Sequence, residues 1–429
     1  MEKLSYPRLG ETVLRHTLPN GLPVMVVPKK GFARQYALFA TRYGGMDLRF
    51  ELDGKLQDTP AGIAHFLEHK MFDTQEGNAL QELAQNGAEP NAFTSNAITV
   101  YYFDSTDHFY DNLKILLSFV SIPYFTEESV AKEQGIIGQE IGMIEDNPDW
   151  QVYRQLMEAL YEKSPARVSV AGSVESISHI TAQTLYDCHK AFYTPSNMCL
   201  VLVGDVDMDR VLNLAREILP AQSGPEIPRD YGEEESLTPC RTLAESTMEV
   251  SMPTFLAGFK CAPVPEGPDR LRRQIVGSLA CDALMGESSP LYARLYSQGL
   301  VNGSFASSFD VLPGVSYAYA GGDSKDPQAV TQAILAEARR LVSEGLDEDY
   351  YQRICRANFG TALKALNSFE AVAVSMAEGC FEGFDPYGFP EIYDSITQQD
   401  LLDFIAENIC ESRMALSVIR PKEEATCTQ

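Results

Sequence analysis

The chain has 429 residues, 34 Lys and Arg against 60 Asp and Glu, and a formal charge of −26. A hydrophobic content of 45% with 22% charged residues marks it as globular rather than disordered, and the length suits two or three domains. So acidic a chain repels phosphate backbones, which sets nucleic-acid binding aside, while it attracts cationic ligands such as basic peptides.

The N-terminus, Met1-Glu2-Lys3-Leu4-Ser5-Tyr6-Pro7, lacks the basic start and apolar run of a signal peptide. No stretch approaches the roughly 18–20 apolar residues of a membrane helix. Nine cysteines are scattered with no C-x-x-C pair, the usage of a reducing compartment, so we expect a cytoplasmic protein. After the turn Pro19-Asn20-Gly21, the run Leu22–Val27 reads as a first strand.

Only six histidines occur, and two of them stand in His65-Phe66-Leu67-Glu68-His69. Asp58-Thr59-Pro60 offers an N-cap and a first-turn proline, and Ala61 to Phe72 then reads as a helix. On a helix, positions i, i+3 and i+4 share a face, so His65, Glu68 and His69 project together. Ile63, Phe66, Leu67 and Phe72 supply the apolar residues that embed it. Two neutral imidazoles are suited to Zn²⁺, leaving room for a third ligand and a water whose pKa the metal lowers to roughly 7. Glu68 is placed to take that water's proton.

Asn91-Ala92-Phe93-Thr94 lies beside a strong strand, Ala97–Phe103, and from the residues alone reads as core sheet. Residues 126–147 form a second helix, capped by Thr126, with an apolar stripe at Val130, Ile136, Ile137, Ile141 and Ile144. Its Glu133 and Glu140 lie seven apart on one face. One carboxylate can bind metal while the other orients a histidine, and spacing does not choose between them or exclude Glu145.

Residues 180–202 and 396–418 match at a constant offset of 216, through Ile180/Ile396, Thr181/Thr397, Gln183/Gln399, Leu185/Leu401, Asp187/Asp403, Met198/Met414 and Leu200/Leu416. Each copy reads as a capped helix, a turn and a strand, which implies two homologous halves. Residues 220–241, with four Pro, two Gly and an acidic run, separate them. The division is therefore a first half at 1–222, a linker at 223–245 and a second half at 246–429. Strands followed by helices and more strands make each half α+β, an antiparallel sheet packed with helices. Gly321-Gly322-Asp323 lacks the lysine and spacing of a phosphate loop and reads as a turn before a helix at Pro327. His108, His179 and His189 are isolated, and Cys188-His189 forms no nucleophile constellation.

His65–His69, Asn91–Thr94 and Lys132–Ile141 together resemble the inverzincin metallopeptidases: pitrilysin, insulin-degrading enzyme and the mitochondrial processing peptidase. The likeness is greatest to bacterial zinc peptidases that carry HFLEHKMF, here His65–Phe72, and PDW, here Pro148-Asp149-Trp150. The resemblance spans nearly the whole chain and implies the processing-peptidase-like fold of duplicated halves. It makes His65, His69 and Glu140 the zinc ligands, Glu68 the general base and Glu133 the carboxylate behind a histidine. It also makes Asn91, Ala92, Phe93 and Thr94 a sheet edge that pairs with the substrate backbone, consistent with the physics of strand addition. Self-sufficient members carry R-x-x-x-G-L-x-Y in the second half, where this chain has Leu295 for the arginine and Asn302 for the tyrosine. Arg294, Tyr292 and Tyr296 lie nearby, but one residue of shift turns a helical side chain by about 100°. The resemblance therefore implies the zinc-bearing subunit of a heterodimer whose partner supplies an Arg/Tyr pair. A self-sufficient homodimer and a non-catalytic peptide-binding scaffold are the alternatives.

Overall fold

The computed structural model describes residues 1–422; Cys427 lies outside them. The chain forms two compact units. The first comprises residues 1–141, 169–231 and 361–390, and the second, among the described residues, 142–168, 232–360 and 391–422. Among the described residues no helix is long and apolar enough to cross a membrane.

The first unit is built on a seven-stranded sheet. Its strand order is Glu2–Tyr6, Glu11–Thr17, Pro23–Pro28, Met198–Gly204, Gln35–Thr41, Thr99–Ser105, Glu89–Thr94. Every residue of Met198–Gly204 is buried, as befits a central strand covered on both faces. The second unit has a five-stranded sheet in the order Leu243–Met248, Met414–Pro421, Thr254–Cys261, Val315–Asp323, Ala306–Leu312. Neither sheet is wholly antiparallel as expected. Met198–Gly204 runs parallel to Pro23–Pro28, and Leu243–Met248 runs parallel to Met414–Pro421. A parallel pair needs a long crossover, and here most of a unit lies between the two partners.

The duplication is visible in the elements themselves. Helix Ala182–Phe192 and helix Gln398–Asn408, the 3-10 turns after them and the strands starting at Met198 and Met414 are all displaced by 216 residues. Thr181 and Thr397 both close capping boxes, each with the side chain three residues on returning a bond to the cap.

The compact units are not the linear halves, because each half lends the other a helix. Helix Phe369–Glu382 belongs to the first unit, where Phe369, Val372, Ala373, Met376 and Ala377, at helical spacing, pack with Met25, Val27, Leu38 and Val201. Helix Pro148–Leu160 belongs to the second unit. There a Cβ on Gly258 would stand 2.7 Å from Leu156, so the glycine lets helix and sheet approach closely. The expected linker is also partly ordered, since strand Leu243–Met248 begins inside it. In the first unit Arg229 pairs with buried Asp47 at 3.0 Å, and Tyr231 donates to Asp47 at 2.8 Å. In the second, Glu235 accepts the backbone N–H groups of Glu162, Lys163 and Ser164 and pairs with Lys260 at 3.1 Å. Gly321-Gly322-Asp323 ends strand Val315–Asp323 rather than forming a turn. A Cβ on Gly321 would meet the Phe255 carbonyl at 1.9 Å, so close strand contact, not a turn, requires glycine there.

Candidate metal centre

Helix Ile63–Met71 carries the histidines, but it starts later than expected and Asp58 does not cap it. Asp58 ends strand Lys55–Asp58, and the N-cap is Gly62 in the left-handed region at φ +93°. Residues 171–176 pack closely against this helix start. Ser176 Oγ donates to the Ala61 carbonyl at 2.8 Å, and a Cβ on Gly62 would stand 2.6 Å from the Ala171 carbonyl oxygen. Ile63, Ala64, Phe66, Leu67 and Met71 are buried, which fixes the rotation of the helix and presents His65 and His69 on its partly open side.

Helix Glu127–Glu145 faces it. Thr126 Oγ1 accepts from Ser129 N at 3.1 Å, and Ser129 Oγ accepts from Thr126 N in return, so the expected cap is present. Val130, Ile137 and Ile141 are buried, but Ile136 is exposed. Neighbours on a helix point about 100° apart, so Ile136 cannot share the inward face with Ile137. Burying that face leaves Glu133 and Glu140 toward the histidines.

Distance makes the choice that spacing left open. His65 Nε2 stands 3.5 Å from one oxygen of Glu140 and His69 Nε2 stands 3.7 Å from the other. One ligand atom from each of His65, His69 and Glu140 lies within 4.8 Å of the others, and Glu145 is outside the group. Tetrahedral zinc with bonds near 2.0–2.1 Å separates its ligand atoms by about 3.3 Å, so the trio fits the ion with small adjustments. Glu133 Oε1 lies 3.1 Å from His69 Nδ1, the nitrogen turned away from Glu140, and thereby orients the ring. Burial, aided by the neighbouring His69, lowers the His65 pKa to about 4 and keeps the imidazole neutral, the form that binds metal. Burial also works against charge on His69, but the bond to Glu133 and the fields of Glu68 and Glu140 outweigh it and raise its pKa. The bond from His69 holds the Glu133 carboxyl below its usual range.

Glu68 is buried, and burial raises its pKa. Thr94 Oγ1 donates to Glu68 Oε2 at 2.8 Å and draws the pKa partly back. The sequence did not suggest this bond, which ties the end of the strand to the buried carboxylate of Glu68. Thr94 ends strand Glu89–Thr94, the terminal strand of the sheet, with Ala92 opposite Tyr101 and Asn91 opposite Tyr102. The sequence also did not single out Lys70. Its ammonium is buried, bonds to Asp73 and lies 4.0 Å from Glu133, adding a cation behind the carboxylate. Its only sequence signal is a lysine following the second histidine.

In the second unit, Leu295 is buried and Arg294 is held by Glu337 at 3.3 Å. Tyr292 stacks with the exposed Tyr296 at 5.8 Å between ring centroids, and Asn302 accepts bonds from Ser304. His189 is buried and bonds the Val120 carbonyl, so it is a structural residue.

Residues 53–173 match the family model described as "Insulinase (Peptidase family M16)", and residues 179–358 match "Peptidase M16 inactive domain". The chain is 39% identical over 428 residues to the uncharacterized zinc protease YmfH of Bacillus subtilis, an alignment covering 98% of this chain and 100% of that one. Among solved structures, a "putative M16-like peptidase" from Alicyclobacillus acidocaldarius is 32% identical with a TM-score of 0.92, over 98% of this chain and 100% of that one. A peptidase M16 inactive domain from Pseudomonas fluorescens shares the fold at 16% identity and a TM-score of 0.81, over 96% of this chain and 98% of that one.

Proposed function

The chain belongs to peptidase family M16, and from that premise we propose that it is a zinc metallopeptidase that hydrolyses peptide bonds in extended peptides, with the H-x-x-E-H helix as its catalytic element. The observation that carries this reading is the convergence of His65, His69 and Glu140 beside a buried carboxylate, Glu68, that is left out of the ligand trio. A zinc ion held by the trio supplies Lewis acidity and lowers the pKa of water. Glu68, with Oε2 fixed by Thr94, keeps Oε1 to accept a proton from the attacking water and later return it to the leaving amine. Glu133 holds His69 in the tautomer that turns Nε2 toward Glu140. The terminal strand Glu89–Thr94 offers backbone groups at Asn91, Ala92 and Phe93 for an extended peptide to join as a further strand.

This reading makes the chain the zinc-bearing subunit of a cytoplasmic heterodimer. By the resemblance, Leu295 and Asn302 replace an arginine and a tyrosine that help to hold developing oxyanion charge, and the nearby Arg294 is engaged by Glu337. Missing donors of that kind cost about 10²–10³ in rate, which a partner subunit would restore. The test is cleavage of a mixed peptide library by the purified zinc-loaded chain, with Glu68→Gln as control. Turnover that vanishes in the variant supports a peptidase and, with no partner present, refutes the heterodimer. No turnover from the zinc-loaded chain, alone or with an Arg/Tyr-bearing partner, refutes the peptidase.

A further inference from the structure

We infer that the second unit carries a subsite for a cationic side chain, arginine or lysine, of a bound peptide, formed by the rings of Tyr153, Tyr317 and Tyr319 around the carboxylate of Asp310. The inference rests on the peptidase reading above for the kind of ligand, and on the second unit's own geometry for the site.

The register of one strand pair builds most of it. Asp310 stands directly opposite Tyr317, and Ser308 opposite Tyr319, so these four side chains share one face of the sheet. Tyr153, from helix Pro148–Leu160, completes the group. Its ring centroid lies 6.4 Å from that of Tyr317 and 6.2 Å from that of Tyr319, and those two lie 5.9 Å apart. The hydroxyls of Tyr153 and Tyr317 bond to one another. Ser308 Oγ donates to Asp310 Oδ1 at 2.8 Å, and the Tyr317 hydroxyl reaches Oδ2 at 3.4 Å.

Among the described residues, no cation acts on this group. Three other shielded carboxylates in this chain have one: Asp47 has Arg229 at 3.0 Å, Glu235 has Lys260 at 3.1 Å and Glu337 has Arg340 at 2.7 Å, whereas Glu68 and Asp282 are met by the neutral donors Thr94 and Asn358. Around Asp310 the acting influences are burial, which raises its pKa, and then the hydroxyls of Ser308, Tyr317 and Tyr319. A shielded carboxylate without a counter-ion is costly, and tyrosine faces within about 6 Å attract an ammonium or guanidinium. Asp310, Tyr153, Tyr319 and Ser308 are only partly buried, so a long basic side chain can enter from solvent. A formal charge of −26 raises the local concentration of such ligands.

The test measures binding by the zinc-loaded Glu68→Gln chain, using fluorescence polarisation of labelled extended peptides. Each peptide is made in two forms, with arginine or with citrulline, which keeps the shape and removes the charge, and the substituted position is moved along the sequence. At one position the arginine form should bind about tenfold tighter. Asp310→Asn and, separately, Tyr319→Leu should bring that ratio to within about twofold while leaving the citrulline peptide's Kd unchanged. Thermal melts confirm folding, and Asp310→Asn keeps the shape of the site if the ring substitution does not fold. An arginine preference that survives Asp310→Asn, equal binding of both forms at every position, or no binding of either overturns the subsite. Failure of the peptidase reading shows separately, as no turnover by the unsubstituted chain either alone or with an Arg/Tyr-bearing partner.

Discussion

Thr94→Val separates two tasks that meet at one residue. Valine matches threonine in shape and strand preference, so the backbone edge offered to a peptide is kept while the bond to Glu68 is lost. A hydrogen bond to a charged group contributes about 1.5–3 kcal/mol, and Glu68 is too buried for water to replace the donor fully. At 1.36 kcal/mol per tenfold, kcat should fall roughly 10- to 150-fold. KM should change less than about twofold, because the proposed docking edge is backbone. Zinc content should not change, since Thr94 is not among the three ligands. Burial raises the Glu68 pKa and Thr94 draws it back, so removing the donor raises it further. A base must be ionised to act, so the acid limb of kcat/KM moves to higher pH. Thr94→Ser restores a hydroxyl and should recover most of the rate. Steady-state kinetics across pH with metal analysis decides the matter: a kcat within twofold of the parent with an unmoved acid limb, or a loss confined to KM, refutes the assigned role.

Three further outcomes follow from contacts elsewhere. Glu133→Ala removes the partner of His69 Nδ1 and should weaken zinc binding about 10- to 100-fold in chelator competition, whereas Glu140→Ala should abolish stoichiometric zinc. Gly62→Ala forces a side chain into φ +93° and against the Ala171 carbonyl, a strain on the order of 1–3 kcal/mol that should lower Tm by several degrees. In the second unit, burial works to raise the Glu235 pKa, but the N–H groups of residues 162–164 and then Lys260 outweigh it and bring it to about 2. That lies below the unfolded value of about 4.3, so this carboxylate stabilises the fold above pH ~4.3 and ceases to as pH falls toward 2. Glu235→Gln should therefore melt lower than the parent at pH 7, with the gap closing between about pH 4.3 and 2.

Periodicity and spacing revealed what local physics controls. His65, Glu68 and His69 had to share a helix face wherever the helix lay, and Thr126 capped its helix as its position predicts. The repeat at 216 residues located a helix, a turn and a strand in both halves. What escaped was set by distant backbone. Gly62 replaced Asp58 at the helix start because residues 171–176 press on it, and Ile136 turned outward because Ile137 took the core. The choice of Glu140 over Glu145 needed a distance between two helices, which no spacing within one of them contains. The exchange of Pro148–Leu160 and Phe369–Glu382 was hidden for a similar reason, since an amphipathic helix does not record which sheet it will cover.

The duplication also lets the helix pair that carries the metal-binding trio be compared with its counterpart in the second unit. Element by element, helix Arg270–Met285 follows its sheet strand as Ile63–Met71 does, and Glu348–Ala365 precedes the exchanged helix as Glu127–Glu145 does. In the first unit this helix pair is joined by His69 and Glu133 at 3.1 Å. In the second it is joined by Asn358 donating to Asp282 at 2.8 Å. Both clips tie the same two elements together, but an amide is a poor zinc ligand and a lone carboxylate does not hold the ion. Among the described residues the only His, Cys, Asp or Glu group with metal-binding geometry is His65, His69 and Glu140. The second unit has the polar link between two helices without a metal-binding group among its described residues.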